Sequence, residues 1–188
     1  MFSDKIKQIL NKEIISDINI EKGSIHLKED NADSKIRSVE IHGLHPDTIV
    51  FKLDIDKAKF KKKSPYLNET QKGLHSGCDY ILVTKTDAGE KVVLFCELKS
   101  QAKNAASQLR NSIPFIEYMA SLLNIHHNFD FDDGNFKRHF IVFTQKRLNK
   151  NRIYQGATSE LDTKKFEGLT INYFKNKQKI SLSNILNK

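Results

Sequence analysis

The sequence predicts an α/β fold with a mixed central β-sheet flanked by helices, and three observations carry that expectation. Ile49, Phe51, Leu53 and Ile55 alternate with Lys52, Asp54 and Asp56, the period-two pattern of a half-buried strand. Tyr80 to Lys85 and Val92 to Leu98 are β-rich runs joined by Thr86-Asp87-Ala88-Gly89, whose Asp and Gly suit a tight hairpin turn. Ala102, Ala105, Ala106, Leu109, Ile113, Ile116, Ala120 and Leu123 then recur at helical spacing, an apolar stripe that needs a sheet to cover it. The 188 residues fit one domain over 1–188, since domains typically run to roughly 100–200 residues.

The remaining elements follow in order. Ser3 is a natural N-cap ahead of Ile6, Ile9, Leu10 and Ile14, predicting a short amphipathic helix that ends near Asp17. Glu21 to Lys35 is charged and weakly patterned, a loop with a short strand at Ser24 to Leu27. Val39 and Ile41 open a strand, with Gly43 to Asp47 as the turn into the strand at Ile49. Lys57, Lys59, Lys61, Lys62 and Lys63 surround Phe60 ahead of Ser64-Pro65, in a basic loop running to Gly77. After the hairpin, Ser100 is the expected cap of the long helix, and Pro114 is expected to kink or divide it. A polar loop over Asn124 to Lys137 leads to a buried strand at Phe140 to Thr144, and Leu169 to Phe174 with Ile180 to Leu182 reads as a closing hairpin.

Composition narrows the function classes. Lys and Arg number 31 against 23 Asp and Glu, a net charge of +8 that favours polyanionic partners, nucleic acid first. A mean hydropathy of −0.52 and the lack of a long apolar run exclude a membrane-spanning helix. The start Met1-Phe2-Ser3-Asp4-Lys5-Ile6-Lys7 lacks a signal-peptide apolar region, so the expected location is cytoplasmic. Cys78 and Cys96 are the only cysteines and form no CxxC pair, which argues against a disulfide framework or structural zinc.

Chemistry concentrates on the hairpin. Asp79 and Glu97 are equidistant from Ala88, so antiparallel pairing sets them opposite one another, at what reads as a solvent-facing position. Lys99 shares the face of Glu97 by strand periodicity. Two carboxylates about 4 Å apart repel by roughly 4 kcal/mol at an effective dielectric near 20, so a positive charge must compensate. A divalent cation held by carboxylates, a backbone carbonyl and water would do so, an all-oxygen shell that suits Mg²⁺. The competing reading is an exposed strand edge with a favourable Glu97–Lys99 charge pair.

These residues resemble the PD-(D/E)XK nuclease superfamily, the restriction-endonuclease-like fold. The match is Cys78-Asp79, then Glu97-Leu98-Lys99-Ser100 entering a helix, with a core over about 74–145. Two departures stand out: Cys78 replaces the Pro, and the Gln-x-x-x-Tyr helix motif of one large branch is missing because Gln108 is followed four residues later by Ser112. The literal Pro46-Asp47 is a decoy, since its strand runs into the basic loop rather than into Glu97. Asp33/Lys35 and Asp162/Lys164 lack a preceding strand.

The resemblance implies that Asp79, Glu97 and the carbonyl of Leu98 hold Mg²⁺, with Mn²⁺ as a substitute, and that Lys99 positions the attacking water. It implies an extra acidic ligand, for which Glu13, Glu40 and Glu69 are the candidates. His75 is a possible contact to the scissile phosphate, and Gln101 and Gln108 are possible auxiliary groups on the helix. Lys59, Lys61, Lys62, Lys63, Lys146 and Arg147, and the basic stretch Lys175 to Lys179, could track a phosphate backbone. The expected substrate is DNA rather than RNA, since no aromatic-rich RNA-binding motif is present. A restriction or anti-phage defence nuclease, a Holliday-junction-type or repair nuclease, and a catalytically inactive nucleic-acid-binding module of the same fold all remain open, as do a homodimer and a partner defence protein.

Overall fold

In a computed structural model, the protein is described over residues 1–19, 22–29, 34, 36–55, 67–68, 70–71, 73–99, 104–131, 136–144, 161–166 and 168–187. Helix α1 (Phe2–Ile9) and a 3₁₀ turn (Lys12–Ile14) precede strands β1 (Ile15–Ser16), β2 (Ser24–Lys28), β3 (Ser38–His42), β4 (Ile49–Lys52), β5 (Tyr80–Lys85) and β6 (Lys91–Lys99). Then come α2 (Ala105–His127), β7 (Phe136–Thr144), β8 (Leu161–Phe166), β9 (Leu169–Lys175), β10 (Lys179–Ser181) and α3 (Leu182–Leu186). Strands order as β1-β4-β5-β6-β7-β9-β8 in a seven-stranded mixed sheet, and as β10-β3-β2 in a three-stranded one.

The large sheet is the middle of three layers. On one face Ile81, Val83, Val93, Phe95, Phe140, Val142, Ile171 and Tyr173 pack with Phe2 and Ile6 of α1 and with Leu109, Ile116, Met119 and Leu123 of α2. On the other, Leu82, Leu94, Cys96, Leu98, Ile141, Phe143 and Phe174 pack against Ile25, Leu27, Val39 and Ile41 of the small sheet and Leu182 and Ile185 of α3. The expected mixed sheet is therefore present, but long helices flank only one face. β6 is buried along seven consecutive residues, Val92 to Leu98, because it is central and covered on both sides.

Several expectations need correcting. The first helix stops at Ile9 rather than near Asp17, because Leu10 turns to extended backbone and Asn11 caps the 3₁₀ turn by accepting from the Glu13 N–H at 3.0 Å. Gly43 to Asp47 joins two sheets rather than two paired strands, since β3 pairs with β2 and β10 while β4 pairs with β1 and β5. β4 ends at Lys52, short of Leu53 and Ile55. Helix α2 starts at Ala105, with Asn104 at its N-cap position while Ser100 lies outside the described residues, and it runs to His127 into the segment expected as a loop. It passes through Pro114 as one continuous helix: Pro114, which has no N–H to donate to the preceding turn, and Arg110 both lie on the exposed side. The closing hairpin does not form. β9 pairs with β7 and β8, while β10 crosses to run parallel to β3. β8 was not expected at all, and it contains the Asp162/Lys164 pair. None of the described helices is long and apolar enough to cross a membrane.

Sheet edges are closed by specific contacts. The Tyr80 hydroxyl accepts from the Lys28 N–H at 2.9 Å and donates to the Lys28 carbonyl at 2.8 Å, while Asn19 and Ser24 exchange backbone bonds on the same edge of β2. Exposed Lys164 and Lys165 guard the outer strand β8. At the N-terminus, buried Asp47 accepts from the N–H groups of Phe2 and Ser3 at 3.2 and 3.1 Å, the Ser3 hydroxyl at 2.6 Å and Lys85 Nζ at 3.1 Å. Burial works against its charge, but the Ser3 hydroxyl, these N–H groups and Lys85 together hold its carboxyl below the usual Asp range.

Asp47→Ala is expected to cost roughly 2 kcal/mol at neutral pH, because it removes a helix cap and leaves buried donors unpaired. A lowered carboxyl contributes stability that is lost as pH falls through its folded value, so the gap to wild type closes below about pH 4. Denaturant titrations at pH 7 and pH 3 check both parts.

Candidate active site

The β5–β6 register pairs Tyr80 with Cys96, which places Asp79 opposite Glu97 as the sequence predicts. There the backbone ladder gives way to side chains. The Asp79 N–H donates to Glu97 Oε2 at 3.1 Å, and the Leu98 N–H donates to Asp79 Oδ2 at 2.6 Å. Lys99 Nζ lies 2.7 Å from Glu97 Oε1. A strand residue's N–H and C=O leave the same edge, so the Leu98 carbonyl also faces the β5 side, next to Asp79. The three predicted residues and the predicted carbonyl thus converge.

Glu97 is not solvent-facing, however: it is 0% exposed. An isolated hairpin would expose that face, but β6 lies mid-sheet under the helical layer. Burial pushes both acids up, Asp79 to about 7 and Glu97 to about 8, and the Asp79 charge raises Glu97 further. The Leu98 N–H and Lys99 pull Asp79 back only in part. Burial also works against the Lys99 ammonium, yet the Glu97 carboxylate outweighs it and holds Lys99 above its ordinary value. Lys99 therefore stays a cationic donor at neutral pH and cannot serve as a base.

Helix α2 fixes the segment ahead of Asp79. The Cys78 N–H donates to Ser112 Oγ at 2.8 Å, Gln108 Nε2 to the Gly77 carbonyl at 3.2 Å and Asn111 Nδ2 to the Gly73 carbonyl at 2.7 Å. Gln108 thus holds the approach to the site rather than touching the carboxylates, and Ser112, where the branch motif has Tyr, anchors the same loop. His75 lies in the turn that Asn111 ties down. Cys78 and Cys96 are buried thiols outside any disulfide among the described residues.

Two acids missed in the sequence act on Asp79: Glu29, just after β2, and Asp54, just after β4, both raise it. Asp54 was within reach of sequence reasoning, as it belongs to the polar side of the Ile49–Ile55 alternation. Of the expected extra ligands, Glu13 lies in the 3₁₀ turn at the β1 edge and Glu40 is paired with Lys179 at 3.2 Å on the small sheet. Glu69, Gln101, Lys59, Lys61, Lys62, Lys63, Lys146 and Arg147 lie outside the described residues.

The donor set is one a hard cation accepts. Two closely set carboxylates and a carbonyl offer only oxygen, and one ammonium leaves the ionised pair short of one positive charge. Among the described residues no group of three or more Asp, Glu, His or Cys is arranged to hold a metal, so water would complete such a shell. A separate cavity of about 470 Å³, lined by Lys85, Glu90, Lys137, His139, Leu182 and Leu186 among others, opens at the opposite end of the β5–β6 hairpin. Comparison with family models, curated proteins and solved structures returns no match.

The raised acids make the metal-free protein pH-sensitive. A carboxyl raised on folding contributes stability that is complete below its unfolded value and is lost as pH climbs through the folded one. Stability in EDTA is therefore expected to fall between about pH 4.5 and 8.5, and Glu97→Gln to gain at least about 1 kcal/mol on wild type at pH 8.5. Parallel denaturation curves for the two proteins across that range would show that the pair is not strained.

Proposed function

We propose that the chain is a metal-dependent nuclease with a restriction-endonuclease-like core, hydrolysing phosphodiester bonds in DNA. One observation carries the reading: Asp79 and Glu97 face each other on adjacent strands, with Lys99 at 2.7 Å from Glu97, on the face covered by α2. Its position adds support. β6, β7 and β9 are parallel and end together there, and open α/β sheets bind ligands at the carboxyl ends of their strands. The helix that the resemblance implies after Lys99 is present as α2.

Asp79, Glu97 and the Leu98 carbonyl would hold Mg²⁺, or Mn²⁺ in its place. When bound, such an ion supplies charge neutralisation at the phosphate and a more acidic water. The chain's own residues do the rest. The Asp79 and Leu98 N–H groups fix the two carboxylates in place, so little reorganisation is needed when charge develops. Lys99 offers ammonium protons that can orient a water and stabilise negative charge on the phosphate. Gln108, Asn111 and Ser112 keep the 73–78 segment packed on α2, which fixes Asp79 at the mouth of the site.

Defence and repair or junction nucleases share this chemistry. A catalytically inactive module is the second reading, and the Lys99–Glu97 ion pair favours it, because that contact already neutralises one carboxylate. Linear, supercoiled, branched and single-stranded DNA, and RNA, incubated with Mg²⁺ or with EDTA, separate these readings. Metal-dependent cleavage is expected, and Asp79→Ala and Glu97→Ala abolish it. Lys99→Ala slows single-turnover cleavage by about 10²-fold or more, the scale of losing one preorganised electrostatic group, and Lys99→Arg does not restore it because a planar guanidinium cannot occupy the ammonium's position. Equal rates in wild type, Lys99→Ala and Lys99→Arg would remove Lys99 from the mechanism.

A further inference from the structure

Resting on the nuclease reading, we infer that Thr144 and Lys175 form a second phosphate contact, which holds the substrate strand away from the reacting phosphate and directs it across β7 and β9. The parallel ladders set Lys99, Thr144 and Lys175 in one row across β6, β7 and β9. Two residues earlier the row is Glu97, Val142 and Tyr173, and two before that it is Phe95, Phe140 and Ile171. The apolar members of both rows belong to the core under α2, and side chains return to the same face every second residue. Lys99, Thr144 and Lys175 therefore share the helix-side face, at the line where the apolar lining stops and two cations flank a hydroxyl.

The row is held firmly. The Asn176 N–H donates to the Thr144 carbonyl at 2.9 Å, and Asn176 takes a left-handed φ of 54°, which ends β9 directly after Lys175. Lys175 is partly exposed and Thr144 is 9% exposed, so both stand at the rim of the core.

Charge sets the direction. Glu29 and Asp54 add negative charge at Asp79 from the side of β2 and β4. On the other side of the carboxylate pair the row offers Thr144 and Lys175. At about 4.8 Å between strands, Lys175 stands about 10 Å from Lys99, so the two ammonium groups serve different phosphates. At about 3.4 Å rise per nucleotide that distance corresponds to roughly three steps along the strand. The substrate class follows: a polynucleotide with phosphates beyond the cut, not a mononucleotide ester.

The test measures DNA affinity against salt in EDTA, with cleavage in Mg²⁺ assayed separately. Lys175→Gln is expected to lower the log–log salt slope by about 0.7–0.9, the value of one phosphate contact, and to weaken binding several-fold. In cleavage it raises KM by a larger factor than it lowers kcat. Thr144→Val weakens binding with the slope unchanged, since it removes a donor but no charge. Lys137→Gln, at the opposite end of β7, is the control and leaves the slope as in wild type. An unchanged slope in Lys175→Gln, or an equal drop in Lys137→Gln, overturns the inference. A slope drop in Lys175→Gln together with a wild type that cleaves no substrate overturns the nuclease reading and leaves the phosphate contact standing.

Discussion

Two carboxylates set opposite one another inside a sheet are the constraint on which the rest of this structure depends. Asp79 and Glu97 lie where the β5–β6 ladder ends, and each is tied to the other's strand by a backbone N–H. Those two bonds do not offset burial, so both acids are driven toward their neutral forms. Lys99 supplies one positive charge and no more. A site with this imbalance attracts protons or cations, and the fold keeps it rigid by pinning the approach to Asp79 onto α2 through Gln108, Asn111 and Ser112.

The layered architecture explains why the imbalance is severe. In a two-stranded hairpin Glu97 would face water and titrate normally. Here β6 has neighbours on both edges, α2 above it and the small sheet below. The same layering produces the near-continuous apolar run from Val92 to Cys96, so one arrangement both stabilises the strand and desolvates the acid that follows it.

That link marks how far the sequence could be read. The hairpin register was legible because Asp79 and Glu97 flank a recognisable turn symmetrically, and the face shared by Glu97 and Lys99 followed from strand periodicity alone. The burial of Glu97 was not legible, since it depends on β7 and α2 being brought over it by long-range pairing. Glu29 was hidden for a similar reason: it follows a strand in a different sheet, whose Lys28 backbone the Tyr80 hydroxyl binds on the large sheet. β8 was missed because Leu-Asp-Thr-Lys-Lys-Phe carries almost no apolar pattern, as suits a strand that among the described residues pairs on one side only. The closing hairpin failed because Asn176 turns the chain out of the large sheet, and β10 completes the small one. Local turn chemistry was readable in each case, while the choice of sheet partner was not.

Asp47 shows what a purely structural buried carboxylate looks like in this same chain. It too is desolvated, yet two backbone N–H groups, a hydroxyl and an ammonium converge on it and its acidity rises. Asp79 and Glu97 have the opposite balance: fewer donors, mutual repulsion and lowered acidity. Burial alone therefore does not distinguish the two sites, and neither does residue type, since Pro46-Asp47 is the more literal match to the acidic half of the nuclease motif. The difference lies in satisfaction. A carboxylate whose donors are complete has no use for a cation, whereas a pair left one positive charge short, at the carboxyl ends of three parallel strands, has an electrostatic vacancy that a divalent ion and a phosphate can share.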